Sequence, residues 1–190
     1  CGFSDPYSEG IVDSIYYDCF DEPMYDECQS GYYYKNKFRI RGYGQGYSQL
    51  QQKTKAASAV IKNKSNINTV YKTKDHVPTW DSLVPTSQHT NNFSQIMECS
   101  YRYGIMLPSI RIKYYRYRYR IFDYRITLDT KIEVLSPSNG LTRNKKHDII
   151  PFHVLEIKTQ QTRPQLPLLG IVSLPQISFS KYSIGLNLLK

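Results

Sequence analysis

Cysteine and histidine are scarce in this sequence, and neither is spaced as a metal ligand. The four cysteines contain no C-x-x-C pair, and no two of the four histidines have the spacing of a metal-binding pair. A zinc site built from thiolates depends on such spacing. The sequence therefore argues against a zinc site and predicts free thiols at Cys1, Cys19, Cys28 and Cys99.

Long apolar runs are also missing. No stretch approaches the roughly 20 consecutive apolar residues of a membrane-spanning helix, and no basic start followed by an apolar segment marks a secretory signal. We therefore expect a cytoplasmic protein without a transmembrane segment. The chain starts at Cys1 and not at a methionine, so we expect a processed chain or a fragment.

Acidic residues are outnumbered by basic ones. The 190 residues include 25 Lys and Arg against 16 Asp and Glu, for a formal net charge of +9. Such an excess indicates a polyanionic partner, and charge alone leaves phosphate chains, nucleotides, nucleic acid and an anionic membrane surface open. Hydrophobic residues still make up 40% of the chain, which is enough for a single folded domain over residues 1–190.

Arginine and tyrosine alternate along residues 110–130, and this is the most distinctive stretch of the chain. Aromatic and β-branched residues favour strands, and the alternation sends charged and apolar side chains to opposite faces. The sequence therefore predicts a hairpin with one basic face. The residues that share this face are Arg116, Arg118 and Arg120 in the first strand and Arg125, Thr127 and Asp129 in the second.

Two cations of this stretch do not follow the alternation. Arg111 and Lys113 have the other parity and would need a bulge near Tyr114 and Tyr115 to join the basic face. Three interpretations of that face stay open from the pattern. It is a solvated sheet surface, a nucleic-acid surface with arginine on phosphates and tyrosine on bases, or the lining of a cavity for a small or linear polyanion.

The rest of the chain predicts further strands and three helices around this hairpin. Residues 56–64 fit either a strand or a short helix, and residues 65–92 read as a polar connecting segment within the domain. We expect a basic loop over 136–147, a short broken helix over 163–176, and a final helix that packs on the outside of the sheet. The remaining predicted strands are 12–19, 32–43, 49–55 and 152–158, and the predicted helices are 93–103 and 179–189.

At least four of these strands carry paired cations on one face. Lys37, Arg39 and Arg41 alternate with Phe38 and Ile40, and like charges in such a row repel unless water or an anion lies between them. Curling the sheet into a closed barrel would place the cations around a shared anion and would remove the sheet edges. The expected fold is mainly β (α+β), an antiparallel β-barrel tunnel with a few flanking helices.

A carboxylate among these cations is informative. Phosphoryl transfer from a nucleotide usually needs a divalent metal ion, and a carboxylate oxygen is a natural ligand for it. Glu156 is the first candidate and Asp129 the second. The alternative is that Glu156 only pairs with Lys158 or a neighbouring arginine.

Six segments, in order along the chain, resemble the VTC domain of polyphosphate polymerases, a family of the triphosphate tunnel (CYTH-like) superfamily. The similarity covers most of the 190 residues, and its specificity lies in the joint order and spacing of the segments. They are 14–18 (Ser-Ile-Tyr-Tyr-Asp), 37–44 (Lys-Phe-Arg-Ile-Arg-Gly-Tyr-Gly), 108–116, 124–130 (Tyr-Arg-Ile-Thr-Leu-Asp-Thr), 155–158 (Leu-Glu-Ile-Lys) and 179–182 (Phe-Ser-Lys-Tyr).

The resemblance implies an ATP-dependent polyphosphate polymerase whose basic tunnel binds ATP and inorganic polyphosphate, with Mn2+ or Mg2+ bound by a glutamate. Nucleic acid is not an expected partner. Carried over by position, the resemblance implies catalytic cations at Arg39, Arg41, Arg116, Arg125 and Lys181. It implies substrate-binding residues at Lys37, Lys53, Tyr114, Lys158 and Ser180, and a metal ligand at Glu156.

The chain departs from the family pattern at two places. Residues 50–53 read Leu-Gln-Gln-Lys where the family usually has Leu-Glu-Ile-Lys, and the chain begins downstream of the family's N-terminal strand, which carries Glu, Arg and Lys. The expected domain is therefore N-terminally incomplete. These departures favour, as alternatives, a non-catalytic polyphosphate- or nucleotide-binding module or a triphosphate hydrolase of the same superfamily.

Overall fold

The computed structural model describes residues 8–44, 46–71, 77–83, 91–121, 123–137, 146–160 and 177–190. Within these residues the chain forms eight strands and four helices. The strands are β1 (Glu9–Asp18), β2 (Tyr34–Tyr43), β3 (Tyr47–Ala56), β4 (Ala59–Tyr71), β5 (Leu107–Ile121), β6 (Tyr124–Leu135), β7 (His147–Ile150) and β8 (Val154–Lys158). The helices are α1 (Pro23–Gln29), α2 (Trp80–Leu83), α3 (Asn91–Tyr103) and α4 (Lys181–Leu189).

The strands form one antiparallel sheet in the order β4-β3-β2-β1-β5-β6. The last two strands both pair with β6. Strand β7 pairs with residues 132–135 of β6, and β8 pairs with residues 125–129. The mainly β fold is confirmed. Among the described strands no pairing joins β4 to β7 or β8, so the sheet is open there and the closed barrel stays a prediction.

Most predicted elements are confirmed, including the hairpin β5–β6 and the helices α3 and α4. The ambiguous stretch 56–64 belongs mainly to β4, and α1 was not among the predicted helices. The range 65–92 contains the end of β4, α2 and the start of α3. Residues 163–176 and most of the expected basic loop, 138–145, lie outside the described residues.

One face of the sheet is covered by α2 and α3. Ile15, Phe38 and Leu50 are fully buried on this face, and they pack in one cluster with Trp80 and Ile96 of the two helices. The burial of Trp80 explains why the polar range around it contributes to the core. Among the described helices none is long and apolar enough to cross a bilayer.

The final helix α4 packs on the other face, which is the face that carries the predicted basic residues. Tyr182, Leu186 and Leu189 are buried in one cluster with Ile110 and Val134 of the sheet. The expected final helix is confirmed, and it packs against this face of the sheet. The side chains of β5 that point to this face run from the buried Ile110 and Ile112 to Arg116. This face is therefore apolar under α4 and basic beyond it.

A bulge in β6 accounts for the irregular parity of the hairpin. Lys113 pairs with Glu133 and Tyr115 with Thr130, so β6 has one extra residue there, and Lys131 has a positive φ of 49°. The extra residue is in β6 and not in β5. Arg111 and Lys113 therefore stay on the face of the sheet that α2 and α3 cover. Arg111 pairs there with Asp13 at 2.6 Å and Lys113 with Glu133 at 3.9 Å.

Asp18, at the end of β1, joins the strand to two helices. Its carboxylate accepts hydrogen bonds from the backbone N–H groups of Met24 (3.2 Å) and Tyr25 (3.0 Å) in α1 and from the hydroxyl of Tyr182 (2.6 Å) in α4. Asp18 is fully buried, and this burial raises the pKa of its carboxyl to about 6 although the hydrogen bonds act in the opposite direction.

We predict that Gly42→Ala destabilises the protein by about 2 kcal/mol or more. A Cβ at Gly42 would overlap the backbone carbonyl oxygen of Gly46, which cannot move without distorting the β2–β3 turn. Urea denaturation measures the effect. Gly44→Ala is the control: it has open space but a φ of 80°, so it should lose only about 1 kcal/mol. Equal stability of the Gly42 variant and the wild type would contradict the prediction.

Candidate functional site

The pairing register places the predicted site residues of the strands on one face. Arg41 lies opposite Ser14 of β1, which lies opposite Ile112 of β5, and directly paired residues point to the same side of a sheet. We call this surface the basic face. Its predicted site residues are Lys37, Arg39, Arg41, Lys53, Tyr114, Arg116, Arg125, Asp129, Glu156 and Lys158.

Asp129 lies at the centre of the buried part of this face. Its side chain is 1% exposed, and it receives two hydrogen bonds from Arg116, at 2.5 Å from Nε and 2.8 Å from Nη2. Lys181 Nζ lies 2.7 Å from Oδ2, the oxygen that also accepts from Arg116 Nη2. Burial opposes the charge, but these two cations outweigh it and hold the pKa of Asp129 below its usual value. Both carboxylate oxygens are therefore committed to cations, which makes Asp129 a poor metal ligand.

The aromatic ring of Tyr114 lies next to the same two cations. Arg116 and Lys181 each lie 5.2 Å from the centre of its ring, a geometry in which the ring face attracts positive charge. Its hydroxyl lies 3.4 Å from Nη2 of Arg41. Tyr114 therefore connects the cations of β5 and α4 to Arg41, which is 8% exposed and also donates to Ser14 at 3.0 Å.

Arg39 is held by two neutral partners. Its Nη1 donates to the Tyr16 hydroxyl at 2.7 Å, and its Nε donates to Gln51 Oε1 at 3.0 Å. Gln51, where the family usually has a carboxylate, keeps an acceptor for Arg39 but does not neutralise its charge. Burial opposes the ionisation of Tyr16, yet Arg39, Arg41 and Lys37 together lower the pKa of Tyr16 to about 8.

The N-terminus of α4 completes the site. The Ser180 hydroxyl oxygen accepts from the Ser183 N–H at 3.3 Å, which caps the helix, and from Lys37 Nζ at 2.6 Å. Lys181 contacts Asp129 on β6. Consecutive residues of α4 thus connect β2 with β6, and the structure brings Ser180 and Lys181 to the basic face as predicted.

Glu156 is the carboxylate of the site that keeps solvent access. It pairs with Lys158 at 3.1 Å, and its side chain is 45% exposed. Burial opposes its charge, but Lys158, Arg116 and Lys181 hold its pKa below the usual value. Among the described residues no three His, Cys, Asp or Glu side chains converge as a metal site. This donor set fits Mg2+ or Mn2+ only as an ion that takes one protein carboxylate and completes its shell with phosphate oxygens and water.

Lys53 of β3 lies among other cations of the basic face. It pairs directly with Lys37 of β2 and Lys62 of β4. Burial is the largest influence on Lys53, and together with Lys37, Lys62 and Arg39 it lowers the pKa of that amine. Lys53 therefore lies in a row of like charges that crosses β2, β3 and β4.

The predicted residues do not all share one environment. Arg125 and Lys158 are exposed, and they lie beyond the buried cluster toward the tip of the hairpin β5–β6. Two further lysines, Lys62 and Lys64 of β4, lie opposite Lys53 and Gln51 and extend the basic face. Their shared parity was a usable signal, but it could be used only if residues 56–64 were assigned to a strand.

We predict that Asp129→Asn lowers the free energy of unfolding by about 3–5 kcal/mol, because Arg116 and Lys181 would stay buried without a counter-ion. Urea denaturation at several pH values measures this. The depressed pKa of Asp129 stabilises the fold above its unfolded value, so the difference between wild type and variant should shrink as pH falls below about 4. Glu133→Gln, which breaks the half-exposed pair with Lys113 on the same strand, should lose less than about 1 kcal/mol. Similar losses for both variants would contradict the assignment.

Comparison with known proteins agrees with this geometry. The sequence profile of the VTC domain matches residues 4–190, essentially the whole chain. No curated protein matches the chain closely enough to count as a relative. The chain therefore belongs to the VTC domain family.

Proposed function

We propose that this domain transfers the γ-phosphate of ATP to a growing chain of inorganic polyphosphate on the basic face. Membership of the VTC domain family supports a polyphosphate polymerase-like module. The observation that carries the proposal is the convergence of Arg39, Arg41, Arg116 and Lys181, from two strands and a helix, on one half-buried surface. Such a set of fixed cations suits a triphosphate, whose charge spreads over several oxygens.

The reaction fits a site that has cations but no covalent nucleophile. A terminal phosphate oxygen of the polyphosphate attacks the γ-phosphorus of ATP in line, the bond between that phosphorus and the β–γ bridging oxygen breaks, and ADP leaves. Phosphoryl transfer of this kind depends mainly on positioning and on neutralising charge. Arg116 and Lys181 are positioned by Asp129, and Arg39 is positioned by Tyr16 and Gln51.

Glu156 is the residue that would hold a divalent metal ion. When bound, Mn2+ or Mg2+ neutralises charge on the phosphate oxygens. The remaining proposed ligands, Lys37, Lys53, Arg125 and Lys158, border the buried cluster and would bind further phosphates. Tyr114 and Ser180 would orient the cations around them.

We further propose that the sheet forms one wall of a tunnel. The support is the set of cations that the pairing of β2, β3, β5 and β6 places on one face of the sheet. An enclosed, partly dry cavity would strengthen each phosphate contact relative to an open surface. A tunnel would also admit a linear chain and exclude duplex nucleic acid.

A second candidate function is a polyphosphate- or nucleotide-binding module without catalysis. It is favoured by the pairing of Glu156 with Lys158, because a carboxylate that only compensates a lysine would hold no metal. In that case the domain should bind polyphosphate tightly and in a salt-sensitive way, with no turnover of ATP.

The polymerase proposal predicts ADP and phosphate chains when the protein is incubated with ATP and Mn2+, as read by chromatography and gel electrophoresis. Polyphosphate binding without either product would support the binding module instead. Glu156→Gln should reduce turnover by about 100-fold and raise the Mn2+ concentration that gives half-maximal rate, while polyphosphate binding persists.

Lys158→Gln is the matched variant for that experiment. It breaks the same ion pair but leaves the carboxylate in place, so its dependence on Mn2+ should stay that of the wild type. If both variants shift the metal dependence equally, Glu156 serves only its pair with Lys158.

The lowered pKa of Tyr16 predicts a specific pH dependence of ATP binding. As pH rises through about 8, the Tyr16 phenolate forms beside Arg39 and competes with phosphate for its charge. Wild-type affinity should therefore fall above this pH, whereas Tyr16→Phe should show no such fall between pH 7 and about pH 9. Isothermal titration at constant ionic strength measures both. Parallel pH profiles of the two proteins would contradict the assignment.

A further inference from the structure

Thr127, in the first half of β6, has a buried hydroxyl without a partner. The residue is 4% exposed, and its Oγ1 is closed to bulk solvent and makes no hydrogen bond to any residue that the structure describes. Thr127 has the same parity as Asp129, so its side chain lies on the basic face. A buried hydroxyl without a hydrogen bond destabilises a fold, and valine would suit the same strand position without that cost. The packing of the sheet therefore does not explain the hydroxyl.

The cross-strand neighbours of Thr127 show which partner its hydroxyl can take. Thr127 lies directly opposite Arg118 of β5 on one side and Glu156 of β8 on the other. A hydroxyl hydrogen needs an acceptor, and an arginine side chain has only donors, whereas a carboxylate has only acceptors. Asp129, two residues further along β6, already accepts from two cations. Glu156 is therefore the carboxylate to which this hydroxyl can donate.

Glu156 is within reach of Thr127, but its carboxylate contacts another residue. Directly opposed residues of neighbouring strands have Cβ atoms about 5 Å apart, and a glutamate side chain is long enough to cross this gap. In the structure Glu156 pairs with Lys158 of its own strand at 3.1 Å, and both side chains are about half exposed. An ion pair this exposed contributes little stability. A move of the carboxylate to Thr127 therefore breaks a weak contact and satisfies a buried hydroxyl.

We propose that Thr127 is a positioning residue, whose hydroxyl donates to one carboxylate oxygen of Glu156 when the phosphates of ATP occupy the basic face. The other carboxylate oxygen is then left for a divalent metal ion. Carboxylates that bind metal ions are commonly held by a hydrogen bond to a second residue, which fixes their orientation. This inference rests on the proposed function, and it adds Thr127 to the residues of the site.

The test measures how much Mn2+ tightens the binding of the non-hydrolysable β,γ-methylene analogue of ATP, by isothermal titration with and without the metal ion. Thr127→Val keeps the shape of the side chain but removes the hydroxyl, so this tightening factor should fall about tenfold. Affinity for the analogue without metal should stay within twofold of the wild type. Thr127→Ser keeps a hydroxyl and should retain most of the wild-type factor.

Two further variants and measurements separate positioning from a role in the fold. Urea denaturation should show Thr127→Val to be at least as stable as the wild type, because the variant removes a buried hydroxyl that has no partner. Thr130→Val is the matched control. It removes a hydroxyl from the same strand on the opposite face, where Thr130 pairs with Tyr115, and it should leave the tightening by Mn2+ unchanged.

Three outcomes would overturn the inference. Equal tightening by Mn2+ in the wild type and in Thr127→Val would leave the hydroxyl without a part in metal binding, and so would equal losses in Thr127→Ser and Thr127→Val. Loss of both stability and metal-free affinity in Thr127→Val would assign the hydroxyl to the fold. All three leave the proposed function intact. A wild type that does not bind the analogue, or that binds it no tighter with Mn2+, would overturn the proposed metal-dependent function together with this inference.

Discussion

The buried contact of Asp129 with Arg116 and Lys181 is the interaction on which the basic face depends. Two cations within a few ångströms of each other repel strongly at low effective dielectric, and one carboxylate between them makes their proximity tolerable. The same carboxylate fixes both side chains, so an incoming anion meets charges already in position. Asp129 thereby combines β5, β6 and α4 into one site.

Charge compensation is uneven across the basic face. Around Asp129 the cations have a partner, whereas Arg39 has only the neutral Tyr16 and Gln51, and Lys53 faces Lys37 and Lys62 in the neighbouring strands. Such a surface has an excess positive charge that the described residues do not neutralise. Family membership and this excess both support the proposed class of ligand, a chain of phosphates.

Alternation within single strands predicted the faces of Arg39, Arg116 and Glu156, because strand parity depends only on local sequence. It could not assign Arg111 or Lys113, since the extra residue that decides their side lies at Lys131 in the partner strand. The sheet face on which α4 packs could not be predicted either, because it depends on contacts between apolar residues that are distant in the sequence. Tyr16 was missed for a related reason: its role comes from Arg39, 23 residues later.

The hydrogen bond from Tyr182 to Asp18 joins residues 164 positions apart in the chain. In sequence order α4 follows every described strand, so a nascent chain can pair these strands before Ser180 and Lys181 have been synthesised. Contacts of such long range form late and slowly. A partly synthesised chain would therefore present Arg116 and Asp129 on a sheet that lacks this helix, and their contact with Lys181 would form only after the strands have paired.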